Sequence, residues 1–186
     1  MIYIVSGYMR SGTSMMMQAL EAGGMEAVYS AKRDERMNRK WGASDYKPNE
    51  RYYELEAEDY QDASFPSAYE GKLIKCLWGG MLRLRPVTEY RIVFMRRDTK
   101  AIQRSLTAFF RQPTEQAQNV NFQRQLDNVV SILRDRRSVI SVHEVQYVDV
   151  VSNPLAVFEI LAGDGWPIDP AKAAEIPQAR KMRFAA

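Results

Sequence analysis

Two residue types that build many protein sites are scarce in this chain. Its 186 residues include one cysteine, Cys76, and one histidine, His143. A single cysteine cannot form an internal disulfide, which favours a reducing compartment. One histidine and one cysteine are also too few for a recognisable zinc site.

Long apolar runs and a strong net charge are lacking as well. No stretch approaches the ~18 apolar residues of a membrane span. The first predicted strand begins at Ile2, which leaves no room for a signal peptide ahead of it. We therefore expect a cytoplasmic protein with no membrane partner. A net charge of +3 and a pI near 9.0 are too mildly basic to indicate nucleic-acid binding, but they fit a small polyanionic ligand.

What the sequence does contain is an alternation of strand and helix patterns. Runs rich in β-branched and aromatic residues predict strands at 2–5, 72–77, 90–95 and 139–145. Between and after them, caps and apolar stripes predict helices at 13–20, 99–110, 113–137, from 153 and from 169. This alternation predicts one α/β domain over residues 1–186, with three α/β/α layers and a mostly parallel central sheet.

A polar segment interrupts the alternation after the first helix. Residues 31–48 carry charges of both signs, which is typical of a solvated excursion or lid. Asn49 and Glu50 can open a helix that runs to about Tyr60. Residues 26–29 resemble a further short strand. We expect the segment 31–61 to border the substrate pocket, because binding residues concentrate on such excursions.

The strongest functional pattern follows the first strand. Gly7 and Gly12 are separated by four residues, and Thr13 and Ser14 open the next helix, which is the frame of a phosphate-binding loop. Glycines let the backbone approach an anion, and the N-terminus of a helix attracts it. The lysine that an NTPase places after the second glycine is missing, and Arg10 lies inside the loop instead. This set fits one tightly held phosphate with no obligatory metal.

The run Arg10-Ser11-Gly12-Thr13-Ser14 resembles the 5′-phosphosulfate loop of the sulfotransferases that use 3′-phosphoadenosine 5′-phosphosulfate (PAPS). The family's loop reads Lys or Arg, Ser, Gly, Thr, then Thr or Ser, and the chain matches it throughout. The resemblance implies a P-loop-like sulfotransferase fold with PAPS as co-substrate and no metal. It also implies that this run, together with Gly7, binds the 5′ end of the nucleotide.

A second resemblance lies at the end of the third predicted strand. In the sulfotransferases an arginine there and a serine eight positions later bind the 3′-phosphate, and Arg97 and Ser105 have that spacing. The simpler alternative is a strand-end arginine paired with a neighbouring acid. Arg96 and Arg97 also stand where a P-loop kinase needs an acid for magnesium. The stretch 145–150 more weakly resembles a family strand, in which Tyr147 would be a packing residue.

The catalytic residues follow from the resemblance, because sulfuryl transfer is an in-line displacement by an acceptor hydroxyl. Arg10 is the expected cation on the leaving oxygen, and Lys75 is expected to stabilise the transferring oxygens. Leu77 replaces the histidine base of cytosolic members. The sequence before Glu54 partly resembles a bacterial motif that ends in a glutamate base, so Glu54 is the predicted base and His143 the alternative.

Three functions remain open at this point. The first is a PAPS-dependent sulfotransferase acting on a hydroxyl or amine of a small-molecule or carbohydrate acceptor. The second is a magnesium-dependent P-loop kinase or phosphotransferase, which the missing loop lysine disfavours. The third is a non-catalytic nucleotide-binding relative that has lost its base. The sequence predicts neither the acceptor nor the oligomeric state.

Overall fold

A parallel β-sheet forms the centre of the molecule. The computed structural model describes residues 1–41, 51–56, 58–110 and 122–184. Within them four strands pair in the order β2-β1-β3-β4, and every pairing is parallel. The strands are β1 (Ile2–Gly7), β2 (Leu73–Lys75), β3 (Tyr90–Arg96) and β4 (Val139–Gln146). The predicted α/β class with a parallel central sheet is confirmed.

Helices follow each strand and carry the chain from the carboxyl end of one strand to the amino end of the next. Asp98 caps the helix after β3, since its Oδ1 accepts the backbone N–H of Ala101 at 2.8 Å. The described helices are α1 (Thr13–Ala22), α2 (Ala31–Trp41), α3 (Phe65–Ala68), α4 (Trp78–Met81), α5 (Thr99–Phe110), α6 (Phe122–Arg134), α7 (Tyr147–Ser152), α8 (Pro154–Gly163) and α9 (Pro170–Phe184).

The three layers arise from the alternation of side chains along the strands. In β1, Ile2 and Ile4 point to one face and pack with α3, α4, α5 and α6. Val5 points to the other face and packs with α1, α7, α8 and α9. Both faces of the sheet are therefore covered, which is why its strands read as apolar runs.

The segment between α1 and β2 differs from its sequence prediction. The helix expected at 49–60 was wrong in its described part, because residues 51–56 are not helical and Glu54 forms a parallel bridge with Lys75. Residues 26–29 contribute an isolated bridge at Ala27 rather than a strand. Residues 31–41 of the predicted excursion form α2, and residues 42–50 lie outside the described residues.

Two further boundaries moved. Helix α6 keeps the predicted apolar stripe but ends at Arg134, and the predicted part at 113–121 lies outside the described residues. The stretch 145–150 is strand only as far as Gln146, after which α7 begins at Tyr147. Among the helices that the structure describes, none has both the length and the apolar character needed to cross a membrane.

The stripe on α6 gives a direct test of how the core is built. Leu126 is 2% exposed and packs in the core on the β1 face that contains Ile2 and Ile4, whereas Ile132 on the same helix is 44% exposed. Leu126→Ala should lower the free energy of unfolding by about 2–5 kcal/mol, because it leaves a cavity among buried side chains. Ile132→Ala, the matched control, should cost less than about 1 kcal/mol. Urea denaturation measures both, and equal losses would contradict this packing.

Candidate anion-binding site

Three groups singled out in the sequence meet at the carboxyl ends of the strands. The loop between β1 and α1 starts at these ends, Lys75 is the last residue of β2, and Arg97 directly follows β3. Ligands of parallel α/β sheets bind outside these ends. The parallel register brings the three strand ends side by side, with Val5 opposite Lys75 and Gly7 opposite Met95.

The two glycines of the loop are required by its geometry. Gly7 has a φ of +140°, and a Cβ there would lie 2.7 Å from both the Met95 carbonyl oxygen and Ser11 Oγ. Gly12 has a φ of +103°, and a Cβ there would lie 2.7 Å from the Tyr147 ring. Other residues would be strained and would collide at both positions. The loop can therefore lie flat against β3 and α7 while α1 begins at Thr13.

A cluster of two arginines and a serine spans the loop and α5. Arg10 has a φ of +66°, and its Nε donates to Ser105 Oγ at 2.9 Å. Arg97 Nη1 donates to the Arg10 carbonyl oxygen at 2.9 Å. Each guanidinium also lies over an aromatic ring, Arg10 at 4.9 Å from the centroid of Phe109 and Arg97 at 4.2 Å from that of Tyr147. The structure thus brings together three residues that lie up to 95 positions apart in the sequence.

The loop hydroxyls occupy different positions. Ser11 is 1% exposed, and its Oγ lies beneath the loop beside Gly7 rather than at its mouth. Thr13 is buried in the first turn of α1. Ser14 is half-buried, and its Oγ accepts a hydrogen bond from Lys75 Nζ at 3.0 Å. Ser14 is therefore the hydroxyl that faces the strand β2 side of the site.

Lys75 is the most deeply buried cation of the site, at 4% exposure. Its Nζ donates to the Tyr52 carbonyl oxygen at 2.6 Å and to Ser14 Oγ, and it lies 3.4 Å from Glu54 Oε1. An ammonium group has three N–H donors, and these contacts match them. Burial lowers the pKa of Lys75, and the neighbouring Glu54 carboxylate partly offsets this effect.

Glu54 is placed beside Lys75, but in a different electrostatic state from the one expected of a base. Arg33 of α2 donates to its Oε2 through both Nε, at 3.0 Å, and Nη2, at 2.7 Å. Burial on its own would raise the pKa of Glu54, but Lys75 and Arg33 outweigh burial and lower it. The raised pKa that a glutamate base needs is therefore not found here. Its role as the base stays a prediction.

The other predicted base lies elsewhere. His143 sits in the middle of β4, where its Nε2 is 2.7 Å from Asp164 Oδ2 and the same carboxylate oxygen accepts from Arg91 Nη1 at 2.8 Å. It pairs in register with Val93 of β3 rather than with a strand end. The structure therefore does not bring His143 to the carboxyl-edge loop.

Sequence reasoning missed two residues beside the site, Asp34 and Arg33 of α2. The backbone of Tyr52 binds Lys75 through its carbonyl and donates its N–H to Asp34 Oδ1 at 3.0 Å. Asp34 of α2 is buried at 6% exposure. The mixed charges of α2 predict a solvated helix, so no side-chain pattern indicated that Asp34 would be buried. Arg33 was overlooked for the same reason.

A polar cavity of about 390 Å³ is lined by Arg96, Arg97, Thr99 and Gln123, among other residues. Arg96 is held by Glu144 at 2.6 Å and Asp127 at 2.8 Å. The simpler alternative for a strand-end arginine, pairing with an acid, thus describes Arg96, while Arg97 turns toward the loop.

Comparison with known proteins does not assign this site to a family. No protein-family model matches the chain, and no curated protein matches it.

The contacts of Glu54 make its contribution to stability depend on pH. Glu54→Gln leaves Lys75 buried beside a neutral amide and should lower the free energy of unfolding at pH 7 by about 3–5 kcal/mol. Because the folded-state pKa of Glu54 is lowered, this difference should be complete above its ordinary pKa of about 4.3 and shrink as the pH falls below it.

The matched control is Glu35→Gln on α2, where the carboxylate is exposed and pairs with Arg39. Urea denaturation of both variants and the wild type between pH 7 and pH 3 measures the effect. A difference for Glu54→Gln that stays constant across this range would contradict the arrangement.

Proposed function

We propose that the protein is a PAPS-dependent sulfotransferase that transfers a sulfuryl group to a hydroxyl or amine of a small-molecule or carbohydrate acceptor. The observation that carries this proposal is the single hydrogen-bonded cluster of Arg10, Ser105 and Arg97. The sequence resemblance assigns Arg10 to the 5′ anchor and the other two residues to the 3′ anchor. Their meeting beside one glycine loop gathers both predicted anchors at the same ends of the strands, which supports a ligand with more than one anionic group.

The loop would bind the 5′ end of this nucleotide. Gly7 and Gly12 let the loop pack closely against Met95 and Tyr147, and the N-terminus of α1 supplies N–H groups and a favourable dipole. Arg10 would exchange its contact with Ser105 for the phosphosulfate, which is a stronger acceptor than a neutral hydroxyl. Arg97 and Ser105 would then bind the 3′-phosphate.

Lys75 and Ser14 support transfer of the sulfuryl group. Their hydrogen bond places an ammonium and a hydroxyl together at the end of β2, beside the start of α1. To stabilise the charge that develops on the transferring oxygens, Lys75 would exchange its hydrogen bond to Ser14 Oγ for one to a sulfuryl oxygen. In the reaction, the acceptor oxygen forms a bond to sulfur while the bond from sulfur to the 5′-phosphate oxygen breaks, and the electron pair leaves with the phosphate.

The phosphotransferase alternative has less support from the described residues. Strand β3 ends at Arg96, which carries a positive charge where magnesium would need an acid. Arg96 is held there by two carboxylates, so it is a fixed part of this edge. The alternative of a non-catalytic nucleotide-binding relative shares the anion cluster and is separated from the sulfotransferase by turnover alone.

Calorimetric titration with 3′-phosphoadenosine 5′-phosphate tests the proposal. We expect micromolar binding that magnesium does not alter. Arg97→Ala should weaken it roughly 10- to 100-fold, because a hydrogen bond to a charged group contributes about 1.5–3 kcal/mol. Arg137→Ala is the matched control, since this arginine is exposed and precedes β4 at the opposite edge of the sheet. It should leave the affinity unchanged.

The other outcomes separate the alternatives. Binding of ATP that requires magnesium, without binding of 3′-phosphoadenosine 5′-phosphate, would replace the proposal with a phosphotransferase. Tight binding of 3′-phosphoadenosine 5′-phosphate without release of this product from PAPS, on any acceptor or with water, would indicate the non-catalytic relative.

A further inference from the structure

Asp34 has an environment that structural packing alone does not explain. It lies on α2 with 6% of its surface exposed, and its Oδ1 accepts the N–H of Tyr52 at 3.0 Å. Its other carboxyl oxygen, Oδ2, is buried and has no hydrogen-bond partner among the described residues. A buried carboxyl oxygen without a partner costs free energy, so such groups call for a functional reason.

The position of Asp34 connects it to the proposed transfer site. The backbone of Tyr52 links Asp34 to Lys75. Its N–H donates to Asp34, and its carbonyl oxygen accepts from Lys75 at 2.6 Å. Ser14 Oγ lies 3.4 Å from the same carbonyl oxygen. Asp34 is thus one backbone residue away from the two groups that would contact the sulfuryl oxygens.

The pKa values of Asp34 and Glu54 are shifted in opposite directions by their surroundings. Burial raises the pKa of Asp34, and the Glu54 carboxylate adds to this, while the Tyr52 N–H, Lys75 and Arg51 oppose it without overcoming it. Lys75 and Arg33 lower the pKa of Glu54. When two neighbouring carboxyls are driven in opposite directions, the one with the higher pKa is suited to move a proton and the other to stay ionised.

We propose that Asp34 is the general base of the transfer reaction and that Glu54 is a positioning residue that holds Lys75. This role rests on the proposed function, since it needs an acceptor and a phosphosulfate nucleotide. Asp34 Oδ2 would take the proton of the acceptor hydroxyl as the acceptor oxygen bonds to sulfur. The bond between sulfur and the 5′-phosphate oxygen breaks with its electron pair on that oxygen. The products are the sulfated acceptor, 3′-phosphoadenosine 5′-phosphate and a protonated Asp34, with nothing oxidised or reduced.

Asp34→Asn is the sharpest variant, because its amide oxygen can still accept from the Tyr52 N–H while the proton acceptor is lost. The assay follows release of 3′-phosphoadenosine 5′-phosphate from PAPS, with phenol, with the more acidic 4-nitrophenol and with water alone. General-base catalysis contributes roughly 10²- to 10⁴-fold. Turnover with phenol should therefore fall roughly 100-fold or more. The loss with 4-nitrophenol should be smaller, since this acceptor ionises without help.

Two readouts separate a base from a residue that only supports the structure. Asp34→Asn should bind 3′-phosphoadenosine 5′-phosphate within about twofold of the wild type and should lack the acid limb of the pH profile of kcat/KM. Glu54→Gln should lower kcat but keep that limb. Glu35→Gln, on the same helix and exposed, should change neither. In addition, carbon NMR of the wild-type side-chain carboxyls should show Asp34 titrating at higher pH than Glu54.

The outcomes distinguish the base from the function. If the wild type turns over PAPS and Asp34→Asn keeps full activity and the acid limb, Asp34 is not the general base. The sulfotransferase proposal would still stand. If Glu54→Gln, and not Asp34→Asn, loses the acid limb of the kcat/KM profile, Glu54 is the general base. Absence of nucleotide binding and turnover in the wild type would overturn both. An Asp34 carboxyl that titrates below that of Glu54 would overturn the base whether or not turnover is observed.

Discussion

The buried ammonium of Lys75 is the constraint on which the rest of the site depends. A cation at 4% exposure is tolerated only when its donors are matched, and the matching groups come from two other parts of the chain. Ser14 belongs to α1, whereas the Tyr52 carbonyl and the Glu54 carboxylate belong to the segment 51–56 beside β2. The need to satisfy this one charge therefore ties α1 to the segment 51–56, whose Tyr53 and Leu55 are also buried.

The same requirement explains why α2 lies against the site. Glu54 is held on one side by Lys75 and on the other by two donors of Arg33, so α2 is tied to the segment through a shared carboxylate. This arrangement places Asp34, next to Arg33 in the sequence, in the interior. The cations are then committed to Glu54, and Asp34 is left with a backbone N–H as its hydrogen-bond donor.

The parts of the structure that sequence reasoning predicted correctly are governed by local patterns. Apolar runs gave the strands, and the spacing of Gly7 and Gly12 indicated a loop that their positive φ angles require. The helix expected at 49–60 failed because its cap signals are weaker than the bridge between Glu54 and Lys75, which depends on a partner many residues away. The burial of Asp34 was not predictable, since it depends on the backbone N–H of Tyr52, which every non-proline residue offers.

The cation cluster is organised as a preformed anion site would be. Arg10 donates to Ser105 Oγ and lies over the Phe109 ring, and Arg97 donates to the Arg10 carbonyl and lies over the Tyr147 ring. Arg96, by contrast, is neutralised by Glu144 and Asp127. Among the described residues, the two adjacent arginines therefore differ, because carboxylates hold Arg96 whereas neutral groups hold Arg97. An arginine held by neutral groups keeps its positive potential for an arriving anion, which is the physical reason to propose phosphate recognition at Arg97 and not at Arg96.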